Sequence, residues 1–99
     1  MTQTVELKLV INNAHSLHMR PMQVFVETAR KYSSGITVEC DGKHFNAKSI
    51  LELIEFAALT LKEPKGSNFS FVVLCTGDDA EQAAEALDKL VKNKFEPGA

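Results

Sequence analysis

ITVECDGKHFNAKSILEL, residues 36–53, changes its periodicity twice. From Ile36 to Cys40 apolar and polar side chains alternate, the pattern of a strand with one face on a core. Asp41-Gly42 follows, a dipeptide suited to the positive φ angles of a two-residue hairpin turn. HFN, residues 44–46, pairs back across that turn as a short second strand. Ser49-Ile50-Leu51-Glu52 then matches the S-x-x-E capping box, in which a hydroxyl and a carboxylate satisfy first-turn N–H groups. The pattern predicts a helix from there to about Leu61, stopped by Glu63-Pro64-Lys65-Gly66.

Upstream, TVELKLVI, residues 4–11, alternates in the same way and reads as a strand. NNAHSL, residues 12–17, is a polar loop. A helix is predicted from Met19 to Ser33, because Met22, Phe25, Val26, Ala29 and Tyr32 recur on one face. Pro21 sits in its first turn, where the missing N–H has no intrahelical partner to lose. Gly35 closes the segment. Downstream, FSFVVLCT, residues 69–76, is apolar on both faces and reads as a central strand. Gly77-Asp78-Asp79 is a turn, and Asp78 with Glu81 forms a second capping box. The last helix is predicted from Asp79 to Lys94, with Ala80, Ala83, Ala84, Leu87, Leu90 and Val91 as its apolar stripe. Residues 95–99 form a flexible tail. The order is therefore βαββαβα, an α+β open-faced sandwich: a four-stranded, mostly antiparallel sheet with three helices on one face, in a single domain over residues 1–99.

Composition narrows the function. A chain of 99 residues, 44% hydrophobic, can bury one two-layer core but has no room for a deep enclosed active site. That disfavours an enzyme built around a complex cofactor, and no cofactor is expected. The formal net charge is −2, and Lys and Arg are scattered, so nothing points to nucleic acid. The N-terminus lacks the basic and apolar segments of a signal peptide, and no apolar run approaches the roughly 18 residues of a membrane span. A cytoplasmic protein without a membrane partner is expected. Cys40 and Cys75 lie outside any CxxC pattern and end two strands expected to be antiparallel neighbours. They are predicted to be unbridged, because the roughly 7 Å Cα limit for a disulfide would be exceeded.

The chemistry concentrates in Ser16-Leu17-His18-Met19-Arg20-Pro21. It places an imidazole at a helix N-terminus with a guanidinium two residues on. First-turn N–H groups have no intrahelical acceptors and favour an anion. Arg20 adds donors matched to phosphate oxygens. Histidine is a competent nucleophile near neutral pH. These parts suit a transient phosphohistidine. His15 stands three residues before His18, but no carboxylate or thiol is spaced to complete a metal site, and none is expected. His44, beside a turn, reads as a solvated residue.

Leu17-His18-Met19-Arg20-Pro21 resembles the Leu-His-x-Arg-Pro phosphorylation signature of the HPr family, the histidine phosphocarriers of the bacterial phosphoenolpyruvate-dependent sugar phosphotransferase system. The element order is similar over nearly the whole chain, and Asn13 matches an Asn that members often carry five residues before the active histidine. The resemblance implies a pros-phosphohistidine at His18 (phosphorylation at Nδ1) assisted by Arg20. The phosphoryl group would come from phospho-enzyme I and go to an A-type permease or regulatory component. Lys48-Ser49-Ile50 resembles the site of regulatory serine phosphorylation, which implies an HPr kinase/phosphorylase and a transcription regulator as further partners of Ser49. It also implies a docking surface from the starts of the first two helices, with Met19, Arg20, Ile50, Leu51 and Ile54, on a monomeric protein. The second helix carries more apolar residues than one buried stripe needs, in keeping with such a surface.

The sequence departs from the family pattern in places. Ser16 stands where glycine is usual, Met19 and Met22 where residues are often small, and residues 49–69 are longer by about a helical turn plus a few loop residues. A carrier of this kind is the substrate of two enzymes rather than a stand-alone enzyme. The alternative is a regulatory interaction module acting through Ser49 with little or no sugar transport. An acylphosphatase-type fold is unsupported, since that chemistry needs a differently placed Arg and Asn.

Overall fold

The computed structural model describes residues 3–12, 19–60 and 68–93. Its elements run β1 (Gln3–Asn12), α1 (Met19–Arg30), β2 (Gly35–Cys40), β3 (Lys43–Asn46), α2 (Ile50–Thr60), β4 (Asn68–Gly77) and α3 (Ala80–Lys92). The strands form one sheet in the order β1-β4-β2-β3, and every neighbouring pair is antiparallel. The Asp41-Gly42 turn adopts φ of 50° and 75°, as a primed two-residue hairpin requires. It sets Cys40 opposite Lys43 and Val38 opposite Phe45. The stop signal at 63–66 and the tail at 95–99 lie outside the described residues.

The core lies between the sheet and the helices. Leu9 and Ile11 of β1, Ile36 and Val38 of β2, Phe45 of β3, and Phe69, Phe71 and Val73 of β4 point into it. Phe56 of α2 is the aromatic centre: its ring lies 5.1 Å from Phe71, 5.8 Å from Phe45 and 6.0 Å from Phe69, all in tilted or edge contacts. Such pairs add about 0.5–1.5 kcal/mol beyond the area they bury. β4 is central, but it is not buried on both faces. Phe69, Phe71, Val73 and Cys75 are buried, whereas Val72 and Leu74 on the opposite face are only half-buried, because no layer covers that side among the described residues.

Two boundaries differ from expectation for one shared reason. α1 ends at Arg30 rather than Ser33, and Gly35 is the first residue of β2. After Arg30 the helix tightens through Lys31 N–H to Thr28 O (3.2 Å) and Tyr32 N–H to Ala29 O (3.3 Å). The N–H groups of Ser33 and Ser34 then donate to the Asp79 carboxylate at 2.8 and 2.9 Å, as do both hydroxyls. A distant carboxylate thus takes over the donors that a longer helix would have used. The same commitment undoes the expected Asp78–Glu81 capping box. The N-cap is Asp79, its side chain makes no cap bond, and Glu81 instead accepts from Gln3 Nε2 at 3.2 Å. Gly77 adjoins this clamp: at φ of 151° it lies so close to Ser34 that a Cβ would stand 2.5 Å from Ser34 Oγ and 2.8 Å from Ser34 Cα.

The two cysteines are buried thiols. Ile36, not Cys40, stands opposite Cys75. Cys40 is four residues further along β2, about 13 Å at the usual strand rise. Burial, and secondarily the nearby Asp79 charge, push the Cys75 thiol above its usual range.

Candidate functional site

α1 begins at Met19, so His18 is the residue immediately before the helix. His18 itself, with His15 and Ser16, lies outside the described residues, as do the side chains of Met19 and Arg20. The described backbone puts Met19, Arg20 and Pro21 in the first turn, which contains no acidic residue. A carboxylate within that turn would compete with an external anion for its N–H groups and for the positive end of the helix dipole, and the turn itself holds none. The face behind it is anchored: Met22, Phe25, Val26 and Ala29 are all buried.

Ser49 is fully described. It caps α2: its carbonyl accepts from Leu53 N–H at 3.0 Å and its hydroxyl accepts from Glu52 N–H at 3.3 Å. The reciprocal half of the capping box is redirected. Glu52 Oε1 accepts from Asn46 N–H at 3.0 Å, while Ser49 N–H donates to Asn46 O at 3.0 Å. Lys48 N–H donates to Asn46 Oδ1 at 2.9 Å, an Asx-type turn that shapes the approach to the cap. The Asn46-x-Lys48 spacing carries that signal in the sequence, although it is easily passed over beside the stronger S-x-x-E.

The Ser49 loop is also tied to α1. Lys48 Nζ donates to Tyr32 O at 2.7 Å, and Arg30 Nε donates to Lys48 O at 3.0 Å. These bonds join the entrance of α2 to the C-terminal end of α1. Met19 and Arg30 are at opposite ends of α1, about 16 Å apart at the helical rise. The contact between α1 and α2 runs back from this joint through Met22, Phe25, Leu53 and Phe56, which line one small apolar gap with Val38 and Phe71.

The apolar surplus of α2 divides cleanly. Leu53, Phe56 and Ala57 are buried, Ile50 and Ile54 are half-buried, and Leu51 is 72% exposed. Leu51 and Val10 are the large hydrophobic residues that stand most open among those described. His44 is exposed on the uncovered face of the sheet, its Nε2 3.9 Å from Glu39 Oε2. Among the described residues no group of three potential ligands could hold a metal ion, and no helix is long and apolar enough to cross a membrane.

Comparison with known proteins agrees with this architecture. Residues 5–93 match the family model described as the PTS HPr component phosphorylation site. The chain is similar to the phosphocarrier protein HPr of Borreliella burgdorferi, at 35% identity over 90% of this chain and 95% of the relative. It is also similar to the HPr-like protein Crh of Halalkalibacterium halodurans, at 32% identity over 91% of this chain and 99% of the relative. Among solved structures, the histidine-containing phosphocarrier protein of a Mycoplasma superposes with a TM-score of 0.75 at 27% identity. That match covers 95% of this chain and 100% of the other.

Proposed function

The chain belongs to the HPr family of phosphocarriers, and on that footing we propose that His18 accepts a phosphoryl group from phospho-enzyme I and donates it to an A-type permease or regulatory component. The single observation that carries the proposal is that the Leu17-His18-Met19-Arg20-Pro21 run meets the start of α1 at Met19, on a helix with no acidic first turn. The lone pair of His18 Nδ1 attacks phosphorus while the bond to the donor breaks, its electrons remaining on the donor. Phosphoryl transfer of this kind needs positioning and charge stabilisation more than covalent assistance. First-turn N–H groups and the Arg20 guanidinium supply both. Residues 1–99 act as one domain in the cytoplasm, with Met19, Ile50, Leu51 and Ile54 contributing to docking.

Ser49 is the proposed regulatory site, modified by an HPr kinase/phosphorylase and read by a transcription regulator. A phosphate at this cap adds negative charge where the helix dipole favours it. The likeness to Crh favours a second reading, in which the chain acts mainly as a regulatory module through Ser49. Incubation with phosphoenolpyruvate and enzyme I separates the two. An acid-labile phosphoryl group lost in His18→Ala supports the carrier. Absence of any acid-labile label, with acid-stable label on Ser49 after kinase treatment, supports the module.

A further inference from the structure

We infer that Arg30 is an internal receptor for a phosphate on Ser49. In the phosphorylated protein its guanidinium grips the phosphoryl oxygens and fastens the entrance of α2 to the end of α1. The inference rests on the reading of Ser49 as the regulatory site, and it adds a residue of α1 that the modified serine engages within its own chain.

The placement of Arg30 carries the inference. Arg30 Nε donates to Lys48 O at 3.0 Å, and the carbon of that carbonyl is bonded to the Ser49 nitrogen. A guanidinium presents five N–H donors in a planar fork, and a single carbonyl contact leaves the others for a second acceptor. The fork therefore lies against the peptide that leads into Ser49. Arg30 is exposed in the last turn of α1, where the helix dipole favours a cation. Among the described residues the ion pairs are His44–Glu39, Lys89–Glu85 and Lys92–Asp88, so neither Arg30 nor Lys48 is paired with a carboxylate there. The cation rests on a neutral carbonyl, a contact weaker than the charge-assisted, two-pronged one that a phosphate offers.

The loop around Ser49 is held in place for such a contact. Lys48 Nζ is committed to Tyr32 O at 2.7 Å and Lys48 N–H to Asn46 Oδ1 at 2.9 Å, so the peptide before Ser49 is fixed at both its side chain and its backbone. Lys48 also brings a second positive charge to the joint. Two carboxylates oppose it: Glu52 in the first turn of α2, whose Oε1 accepts from Asn46 N–H, and exposed Glu27 one turn back on α1. A phosphoserine carries a charge of about −1.5 to −2 at pH 7 and three strong acceptor oxygens. Aspartate at position 49 has a shorter arm and one charge, and its carboxylate serves the cap. Ser49→Asp therefore reproduces part of the charge without the grip.

Phosphoserine installed at position 49 during translation of the full chain tests the receptor without any kinase. Phosphorus NMR then follows the titration of that phosphate. Its second pKa is about 6 when unperturbed. It should lie about 0.5 unit lower in the wild-type background than in Arg30→Gln, because an adjacent cation favours the doubly ionised form and exposure limits the effect. Arg30→Lys, which keeps the charge but not the fork, should fall between the two. The Arg30 Nε–H resonance should move with the same titration in the phosphorylated protein and stay still when Ser49 is unmodified. The difference between wild type and Arg30→Gln should shrink as salt rises. Arg30 is exposed, so its variants should fold, which thermal melts check; the Nε–H resonance of the wild-type background decides the matter even without them. Equal phosphate pKa values in wild type and Arg30→Gln, or an Nε–H resonance that ignores the titration, overturn the proposal. Kinase treatment that leaves Ser49 unlabelled counts against the regulatory reading instead, and these two failures are told apart because the phosphate here is installed independently.

Discussion

Leu51 and Leu53 are two residues apart on α2, and replacing each by alanine separates docking from folding. Leu53 has 0% exposure and lines the apolar seam with Met22, Phe25 and Phe56. Removing a fully enclosed leucine costs the transfer free energy of the lost methyls plus the cavity left behind, about 3 kcal/mol in total. For a domain of this size each kcal/mol lowers Tm by roughly 4–8 °C, so Leu53→Ala should melt about 12–24 °C early. Leu51 is 72% exposed, so little more than a quarter of its surface is covered. Full burial of leucine is worth about 1.5–3 kcal/mol, which leaves at most about 0.8 kcal/mol to lose. Alanine's better helix propensity offsets part of that. Leu51→Ala should therefore melt within a few degrees of wild type. As an apolar anchor at a docking surface, it should raise the apparent KM for the phosphoryl donor about tenfold. Thermal melts by circular dichroism and transfer kinetics with enzyme I read the two effects. A Leu51→Ala melt as low as that of Leu53→Ala would refute the assigned faces of α2. An unchanged KM would remove Leu51 from the docking surface.

Ser49→Asp should retain the fold within about 1 kcal/mol, because aspartate caps as well as serine and suits the helix dipole. It should slow transfer through a weaker donor affinity that recovers as salt rises, read by kinetics at two ionic strengths. The Ser34 hydroxyl, then the Ser33 N–H, hold the Asp79 carboxyl down to about 2 from an ordinary 3.8. Its folded pKa lies below its unfolded one, so its stabilising contribution is present above pH 3.8 and is lost as pH falls through 2. Acid titration of Asp79→Asn should accordingly be flatter than wild type across that window, and identical slopes would dismiss the clamp. Gly77→Ala adds a Cβ 2.5 Å from Ser34 Oγ at a φ that side chains rarely adopt. It should destabilise by about 1–3 kcal/mol in urea titration, more than alanine at an unstrained strand glycine would.

Local patterns within the chain determined much of this protein. Alternation from Ile36 to Cys40, the positive-φ preference of Asp41-Gly42 and the S-x-x-E run at Ser49 each act over a few residues. Each appears where the pattern puts it, because backbone sterics and short-range hydrogen bonds decide them. The apolar stripe of α3, Ala80 to Val91, is buried as its spacing predicts. Of the His18 segment, the helix start at Met19 falls where the sequence puts it, while His18 itself lies outside the described residues. Only the tertiary structure decided what depends on partners far along the chain. Asp79 reaches Ser33 and Ser34 across 45 or 46 residues, ending α1 early and leaving α3 without a side-chain cap. Glu52 turns from Ser49 to Asn46, and Lys48 bridges to Tyr32, because the hairpin and α1 bring those groups within reach. β4 looks buried on both faces from its composition, yet the helices lie on one side of the sheet. Its outward residues stay half-open, and β1 has no partner strand on its outer side among the described residues, for a reason no local window contains: layer order and strand order are set by how all the elements pack together.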